Sequence, residues 1–353
     1  MTDSGPAPGN ATEGTMIQDC IRSAVGGNSL SQDQAEEAMR EILEGKASPA
    51  QIAGLAVALR MKGETVDELT GFSRVMRQMA TVVPHRHPEV LDTCGTGGDG
   101  SRTFNISTTV ALVAAGAGVP VAKHGNRAIS SASGSADVLQ ALGVKVDLGE
   151  AQIGRCLDEI GVGFLFAPAL HAAMKHAAVP RRELGVRTFF NLLGPMSNPA
   201  GSRHQLVGVF DGDFVEPVAE VLCRLGAERA WVVHGLDGMD ELTTCDESRV
   251  AEVRDGKVRS FYLRAQDLGI PEARPGDLEG GDAEANAAHT RSVLAGDKGP
   301  KRDIVLLNAA AALFVAGAAP TLQAALPLAA RSIDEGSAAR KLEDLRRMSN
   351  SFA

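Results

Sequence analysis

From residue 90 onward, short runs of β-branched and aromatic residues alternate with helical stretches, and this alternation constrains the fold more than any other feature. The strand-like runs are 90–91, 119–121, 144–146, 164–166, 206–210 and 230–233, and the helical stretches include 137–142, 151–160 and 215–225. Such alternation predicts a doubly wound, mostly parallel α/β sheet. An Asp255-Gly256 turn between two further runs predicts a β-hairpin near one edge of the sheet.

The segment 16–80 has a helical pattern throughout and predicts a small all-helical N-terminal domain. Ser31 with Gln34, and Thr65 with Glu68, have the spacing of capping boxes that open two of its helices. A helical unit of this size rarely buries all its apolar faces alone. We therefore expect these helices to pack on another domain or on a second copy of the chain, and we predict a homodimer.

Local composition indicates two further segments in the chain of 353 residues, an N-terminal extension and a linker. Residues 1–15 are rich in Gly, Pro, Ser and Thr and predict a disordered N-terminal extension. The prolines and histidines of 81–89 predict a hinge or linker between the helical domain at 16–80 and the α/β domain at 90–353. We expect part of 170–200 to join the helical domain in space.

Charge and cysteine content exclude several classes of function. The net charge of -9 and the pI of about 5.5 argue against nucleic acid or an anionic membrane as a partner, because both require a basic surface. The longest apolar stretch, 110–122, contains a proline and is shorter than the ~18 residues that span a bilayer. The five cysteines are odd in number and widely spaced, which predicts a reducing, cytoplasmic location.

A glycine-rich segment directly follows the first predicted strand, at 92–100, and a helical run starts shortly after it. Glycines let a ligand approach the backbone closely, and their amides, with a helix N-terminus, bind phosphate. A dinucleotide site would need an acidic residue at the end of the next strand, but Lys123 and His124 stand there, and no Gly-Lys-Ser/Thr follows to make a P-loop. An ordinary glycine-rich turn is the alternative.

The segment 123–135 combines cationic side chains with serine hydroxyls at the end of a strand, which is the edge where open α/β sheets bind ligands. This combination of residue types favours a polyanionic ligand. The alternative is that the segment is a solvated basic loop. The adjacent carboxylates of Asp240 and Glu241 follow another strand and suit Mg²⁺, which takes one or two carboxylates together with phosphate oxygens. An ordinary surface dipeptide is the alternative.

Three arginines, Arg181, Arg182 and Arg187, precede the segment Asn191-Leu192-Leu193-Gly194-Pro195. A guanidinium offers a planar fork for a carboxylate, whereas a basic helix end explains at least one of them without a ligand.

Together and in this order, the four motifs resemble the anthranilate phosphoribosyltransferase family, whose fold pyrimidine nucleoside phosphorylases also use. The resemblance runs from about Gln32 to Leu345. It implies that phosphoribosyl pyrophosphate (PRPP) is bound by Gly95, Gly98, Asp99, Thr103, Asn105, Ile106, Ser107, Thr108, Lys123, His124, Gly125, Asn126, Arg127, Ala128, Ile129, Ser130, Ser131 and Ser135. It places anthranilate at Gly95, Asn126 and Arg181, and Mg²⁺, two ions per subunit, at Ser107, Asp240 and Glu241.

The resemblance implies displacement of pyrophosphate from C1 of PRPP by the amine of anthranilate, with no covalent nucleophile on the protein. His124 is a weak candidate for the proton acceptor, because only histidine changes charge near neutral pH without a large shift in its pKa. Two alternatives share the fold: a pyrimidine nucleoside phosphorylase, which should lack the Asp240-Glu241 pair and the Arg181 segment, and a nucleic-acid-binding relative without activity, which should be basic.

Overall fold

The structure is a computed structural model that describes residues 15–128 and 132–352. The expectations for residues 1–14 and for Ile129, Ser130 and Ser131 lie outside these ranges. Thr15, assigned to the extension, is instead the N-cap of the first helix.

Four helices make up the N-terminal unit. They are α1 (Met16–Val25), α2 (Gln32–Leu43), α3 (Pro49–Lys62) and α4 (Val66–Met79). The capping boxes predict where α2 and α4 start: the Gln34 amide donates to Ser31 Oγ at 3.2 Å, and the Glu68 amide donates to Thr65 Oγ1 at 3.3 Å. Glu68 is fully buried and also accepts from the Leu30 amide at 2.8 Å, so its carboxylate joins α4 to the start of α2.

The helical unit shares a core with a distant part of the chain. The ring of Phe72 on α4 stacks on Phe189 at 4.3 Å between centroids, and Phe189 stacks on Phe190 at 4.2 Å. Ala177 and Met196 belong to the same apolar cluster. Part of 170–200 therefore packs with the helices, whereas the domain boundaries themselves remain a prediction.

The second unit is built on one seven-stranded sheet. Its strands are β1 (Leu91–Asp92), β2 (Val121–Gly125), β3 (Val162–Phe166), β4 (His204–Gly208), β5 (Arg229–Gly235), β6 (Glu247–Arg254) and β7 (Lys257–Arg264). Their order is β3-β2-β1-β4-β5-β6-β7, with β1 to β5 parallel and the last two pairings antiparallel. Leu91 pairs with Val121 on one side and with His204 on the other, so the strand order reverses at β1. The predicted fold class is confirmed.

Ten further α-helices belong to the described part of the fold. They are α5 (Ile106–Gly116), α6 (Ser135–Ala141), α7 (Glu150–Ile160), α8 (Ala167–Leu170), α9 (Lys175–Leu184), α10 (Val215–Arg224), α11 (Ala283–Leu294), α12 (Pro300–Val315), α13 (Leu322–Asp334) and α14 (Ser337–Ser351). Leu206 and Val233 face the core that contains α5 and α12, whereas Val207 and Val232 face α10 and the helical unit. The sheet is thus covered on both faces. No helix in the described ranges is long and apolar enough to cross a membrane.

The predicted hairpin is confirmed, and one predicted strand is wrong. Asp255 and Gly256 turn between β6 and β7 with φ of 53° and 69°, the left-handed values that a two-residue type I′ turn requires. Residues 144–146 form no strand, because the Lys145 amide donates to Ser349 Oγ of α14 at 3.0 Å and not to a neighbouring strand. The flanking valines are buried, so they carry the apolar pattern of a strand without its pairing.

Candidate active site

The predicted motifs meet at the carboxyl ends of the parallel strands. The glycine-rich loop follows β1, the loop that carries Asp240 and Glu241 follows β5, and β4 ends between them at Gly208. In open α/β sheets the crevice beside a reversal of strand order is where ligands bind. The reversal at β1 therefore places the candidate site between β1 and β4.

Backbone contacts hold the glycine loop on β4 and on the acidic loop. The Thr96 amide donates to the Gly208 carbonyl at 2.8 Å, and Thr96 Oγ1 accepts from the Phe210 amide at 3.0 Å. The Gly97 amide donates to Asp240 Oδ2 at 2.8 Å. Gly98 has a φ of 76°, which a residue with a side chain would adopt only with strain.

Helix α5 begins directly behind the glycine loop, with Asn105 as its N-cap residue. Asn105 Nδ2 donates to the Ser133 carbonyl at 3.2 Å, and Asn105 Oδ1 accepts from Asn286 Nδ2 at 3.0 Å. Thr103 forms an isolated bridge with Glu279. Asn105 thus joins the glycine loop to the serine-containing loop that the same substrate is expected to contact.

Asp240 and Glu241 form an acidic pair beside the glycine loop. Both keep partial solvent exposure. Loss of solvent around the carboxyl group raises the pKa of Asp240 to about 7, and the nearby Asp99 carboxylate adds to the shift. Loss of solvent and the adjacent Asp240 charge raise the pKa of Glu241 well above its usual range, although the Ser107 amide opposes this by donating to its carboxylate. The structure therefore brings together the three residues implied as metal ligands.

The donor set of this pair fits a hard divalent cation. Among the described residues neither Asp240 nor Glu241 forms a salt bridge, and repulsion by Asp240 is part of what raises the pKa of Glu241. A cation would relieve this repulsion, and Mg²⁺ prefers oxygen ligands of this kind. Both residues are partly exposed, so solvent reaches the pair.

Lys123 and His124 are buried side chains of β2 and do not lie in a surface loop. Lys123 Nζ donates to the Thr93 carbonyl at 3.0 Å, at the base of the glycine loop. His124 Nδ1 lies 3.0 Å from the Gly194 carbonyl, and its ring centroid lies 5.2 Å from that of His171. Burial lowers the pKa of His124 to about 3. The ring is therefore neutral at pH 7 and is a weak proton acceptor.

The loop after β2 closes on the start of α6. Ser135 Oγ accepts from the Asn126 amide at 3.1 Å and donates to the Asn126 carbonyl at 3.2 Å. Arg127 pairs with Asp137 at 3.0 Å, and the Ala128 amide donates to the same carboxylate at 2.9 Å. These bonds keep the described part of the loop compact at the end of the strand, next to Gly125.

Arg181 lies on α9, apart from the glycine loop. Its guanidinium carbon lies 5.3 Å from the ring centroid of Phe190, and burial lowers the pKa of the side chain. No hydrogen bond or ion pair joins it to Gly95 or Asn126 in the ranges that the structure describes. Its assignment to anthranilate therefore rests on the family resemblance and on its unpaired charge.

Asp92, Asn198 and Asn308, for which the sequence predicts no individual role, also shape the site. Asp92 accepts from the His124 amide at 3.1 Å and from Asn198 Nδ2 at 2.7 Å, and burial raises its pKa to about 6. On α12, Asn308 accepts from the Leu242 amide at 3.0 Å and donates to the Leu242 carbonyl at 2.8 Å, which fixes the residue after Glu241. An asparagine inside an apolar helix such as α12 is the one sequence signal that could have indicated this contact.

Family models match both units of the chain. The glycosyl transferase family helical bundle domain matches residues 18–80, and the glycosyl transferase family a/b domain matches residues 87–339. Together these matches cover most of the chain.

The chain is similar to named sequences and to solved structures. An anthranilate phosphoribosyltransferase of Moorella thermoacetica is 58% identical over 328 residues, which is 93% of this chain and 97% of that protein. The crystal structure of the anthranilate phosphoribosyltransferase of Thermus thermophilus superposes with a TM-score of 0.89 at 44% identity and covers 94% of this chain and 99% of that one. The Saccharomyces cerevisiae enzyme in complex with PRPP and Mg has a TM-score of 0.85 at 25% identity and covers 95% and 98%.

Proposed function

The chain belongs to the anthranilate phosphoribosyltransferase family, and from this membership and the site geometry we propose that it transfers the 5-phosphoribosyl group of PRPP to the amine of anthranilate and releases pyrophosphate. This is a pentosyltransferase reaction of tryptophan biosynthesis. The observation that carries the proposal is the acidic pair Asp240-Glu241 beside the glycine loop: it supplies two carboxylates without salt-bridge partners among the described residues, next to a loop suited to phosphate.

The same pair supports Mg²⁺ as the cofactor. Asp240, Glu241 and Ser107 would hold the metal, because the loop after β5 carries both carboxylates and Ser107, in the first turn of α5, donates its amide to the Glu241 carboxylate. Neither carboxylate forms a salt bridge in the described ranges, although the charge of Lys123 acts on both. When bound, the metal stabilises the negative charge that builds on the leaving pyrophosphate. We expect two ions per subunit, which a Mn²⁺ titration followed by electron paramagnetic resonance can count in the presence of PRPP.

The protein groups around the cleft bind and orient the substrates. Gly95, Gly98 and Asp99 of the glycine loop would contact the pyrophosphate. The amide dipoles of this loop would favour the transition state, in which negative charge develops on the leaving group. Lys123, buried at the base of that loop, adds a positive charge close to the phosphate groups. The serine-containing loop after β2 would bind the phosphoribosyl part.

Anthranilate supplies its own amine as the nucleophile, so orientation is the main task of its pocket. Arg181 would bind the carboxylate through its guanidinium fork, together with Gly95 and Asn126. Holding the amine near C1 converts an encounter in solution into a reactive geometry. His124 stays a weak candidate for the proton acceptor, because burial lowers its pKa.

We further propose a homodimer formed by the helical unit. Two of its large apolar side chains are strongly exposed: Met61 of α3 is 84% exposed and Val25 of α1 is 74% exposed. A second copy of the chain could bury such side chains at an interface. We also place the protein in the cytoplasm, where its five free cysteines would stay reduced.

The proposed function is tested by incubating the chain with anthranilate, PRPP and Mg²⁺ and following the fluorescence of anthranilate. Loss of the signal, dependent on all three components, is the expected result. An unchanged signal at high enzyme concentration would contradict the proposal. Phosphate-dependent cleavage of a pyrimidine nucleoside would instead indicate a phosphorylase, and a low-salt gel shift with random DNA tests the nucleic-acid-binding alternative.

A further inference from the structure

Arg187 is a cation at the glycine loop that no part of the proposed mechanism uses. Its side chain is exposed, and it forms no hydrogen bond or ion pair with any residue in 15–128 or 132–352. An exposed arginine without a partner is ordinary on a protein surface. This one lies against Gly98 of the glycine loop, which is expected to bind a polyanion.

The ring of Phe210 supports the guanidinium of Arg187. Its central carbon lies 4.6 Å from the ring centroid of Phe210, a distance typical of a cation–π contact. The Phe210 amide donates to Thr96 Oγ1, so the residue that supports Arg187 is bonded to the glycine loop itself. A cation–π contact leaves the N–H groups that point away from the ring available to a ligand.

Gly98 permits this approach. A Cβ atom added to Gly98 would lie 3.3 Å from Arg187 Nε and 3.4 Å from Nη2, so any side chain there would press on the guanidinium. The glycine therefore brings the N–H groups of Arg187 next to backbone that we expect to face the pyrophosphate. Arg181 contacts a different ring, that of Phe190, so the two arginines belong to different parts of the cleft.

We propose that Arg187 binds the pyrophosphate group of PRPP and stays bound to it as it leaves. This inference rests on the proposed function, because it assigns a ligand to a residue of the same site. A guanidinium donates two parallel hydrogen bonds to phosphate oxygens, which suits a group whose charge increases during the reaction. Arg187 then stabilises pyrophosphate independently of the acidic pair.

The test measures pyrophosphate directly and does not depend on turnover. Isothermal titration calorimetry with pyrophosphate and Mg²⁺ is performed on the wild type and on Arg187→Gln, Arg187→Lys and Arg182→Gln. Arg182 is the matched control, since it is an exposed arginine of the same segment and has no place in the proposed site. Michaelis constants for both substrates and melting temperatures are measured in parallel.

We expect Arg187→Gln to weaken pyrophosphate binding and to raise the Michaelis constant for PRPP by about ten- to a hundredfold, the usual effect of losing a charge-assisted hydrogen bond. Arg187→Lys should recover part of the affinity, because it restores the charge without the fork. The Michaelis constant for anthranilate and the melting temperature should stay near the wild-type values. Arg182→Gln should match the wild type throughout.

Pyrophosphate affinity in Arg187→Gln equal to that of the wild type would overturn the proposal, whatever happens to turnover. Equal losses for pyrophosphate and anthranilate together with a lower melting temperature would also overturn it, because they indicate that Arg187 only supports the loop. A wild type that binds pyrophosphate but does not consume anthranilate would refute the proposed function and leave the assignment of Arg187 standing.

Discussion

Replacing Gly208 by alanine should disable the site while the chain stays folded. Gly208 is the last residue of β4, and it lies between the glycine loop and the acidic loop. A Cβ atom added there would lie 1.5 Å from the carbonyl oxygen of Asp240 and 2.5 Å from its carbonyl carbon. Both atoms are backbone, so no flexible side chain can move aside.

The distances give the shift of Asp240 that an alanine at position 208 requires. Because Cβ atoms in proteins essentially never approach another heavy atom closer than 3.0 Å, Asp240 and β4 must separate by at least 1.5 Å. A misplacement of about 1 Å in a catalytic group can cost about a hundredfold in rate. We therefore expect kcat/KM to fall by about a hundredfold or more. Overpacking in a folded core costs about 1–3 kcal/mol of stability, which lowers the melting temperature by only a few degrees.

The assay is the loss of anthranilate fluorescence at saturating Mg²⁺, with melting temperature and circular dichroism as folding controls. Gly276→Ala is the matched control, since a Cβ atom at Gly276 meets no heavy atom within 4 Å and its φ is not positive. This control should keep wild-type activity. If Gly208→Ala were folded and as active as Gly276→Ala, the placement of Asp240 against β4 would not matter for catalysis.

Three further predictions concern ligands and assembly. Arg181→Ala should raise the Michaelis constant for anthranilate about ten- to a hundredfold and should raise the Michaelis constant for PRPP much less. Lys123→Ala should show the opposite bias. If both variants weaken only PRPP binding, Arg181 belongs to the phosphate site. Asp240→Asn combined with Glu241→Gln should keep the fold and remove most turnover, because amides are poorer Mg²⁺ ligands than carboxylates. Near-normal activity at saturating substrates would show that the pair does not bind a catalytic metal. Met61→Glu should shift the chain from dimer to monomer in sedimentation velocity at micromolar concentration, whereas a wild type that is already monomeric would refute the interface.

Local sequence signals predict much of the fold because their physical causes are local. A capping box needs two side chains three residues apart, as in Ser31 with Gln34, and both partners are visible in the sequence. The Asp255-Gly256 turn is equally local, since the type I′ geometry depends on two residues that tolerate positive φ. The segment 144–146 fails for the opposite reason: whether it pairs as a strand depends on Ser349, which is distant in sequence.

The same distinction applies to the site. The glycine loop, the Lys123-His124 pair and the Asp240-Glu241 pair are recognisable because each combines several reactive residue types within a few positions. The buried state of His124 is not recognisable in this way. Its pKa depends on desolvation within the fold and, to a smaller extent, on His171, so a sequence pattern can nominate a histidine as a base but cannot determine its basicity.

The acidic pair shows what the sequence leaves out even where a motif is correctly identified. Two residues that take no part in the reaction position Asp240 and Glu241. Asn308 fixes the backbone of Leu242 through two hydrogen bonds, and Gly208 leaves space for the Asp240 carbonyl. Two adjacent carboxylates whose repulsion raises the pKa of Glu241 would move apart if their backbone were free to do so. Packing therefore keeps the two carboxylates close despite their repulsion. A cation that relieves the repulsion binds more tightly for that reason. The affinity for Mg²⁺ should accordingly depend on Asn308 as well as on the ligands themselves.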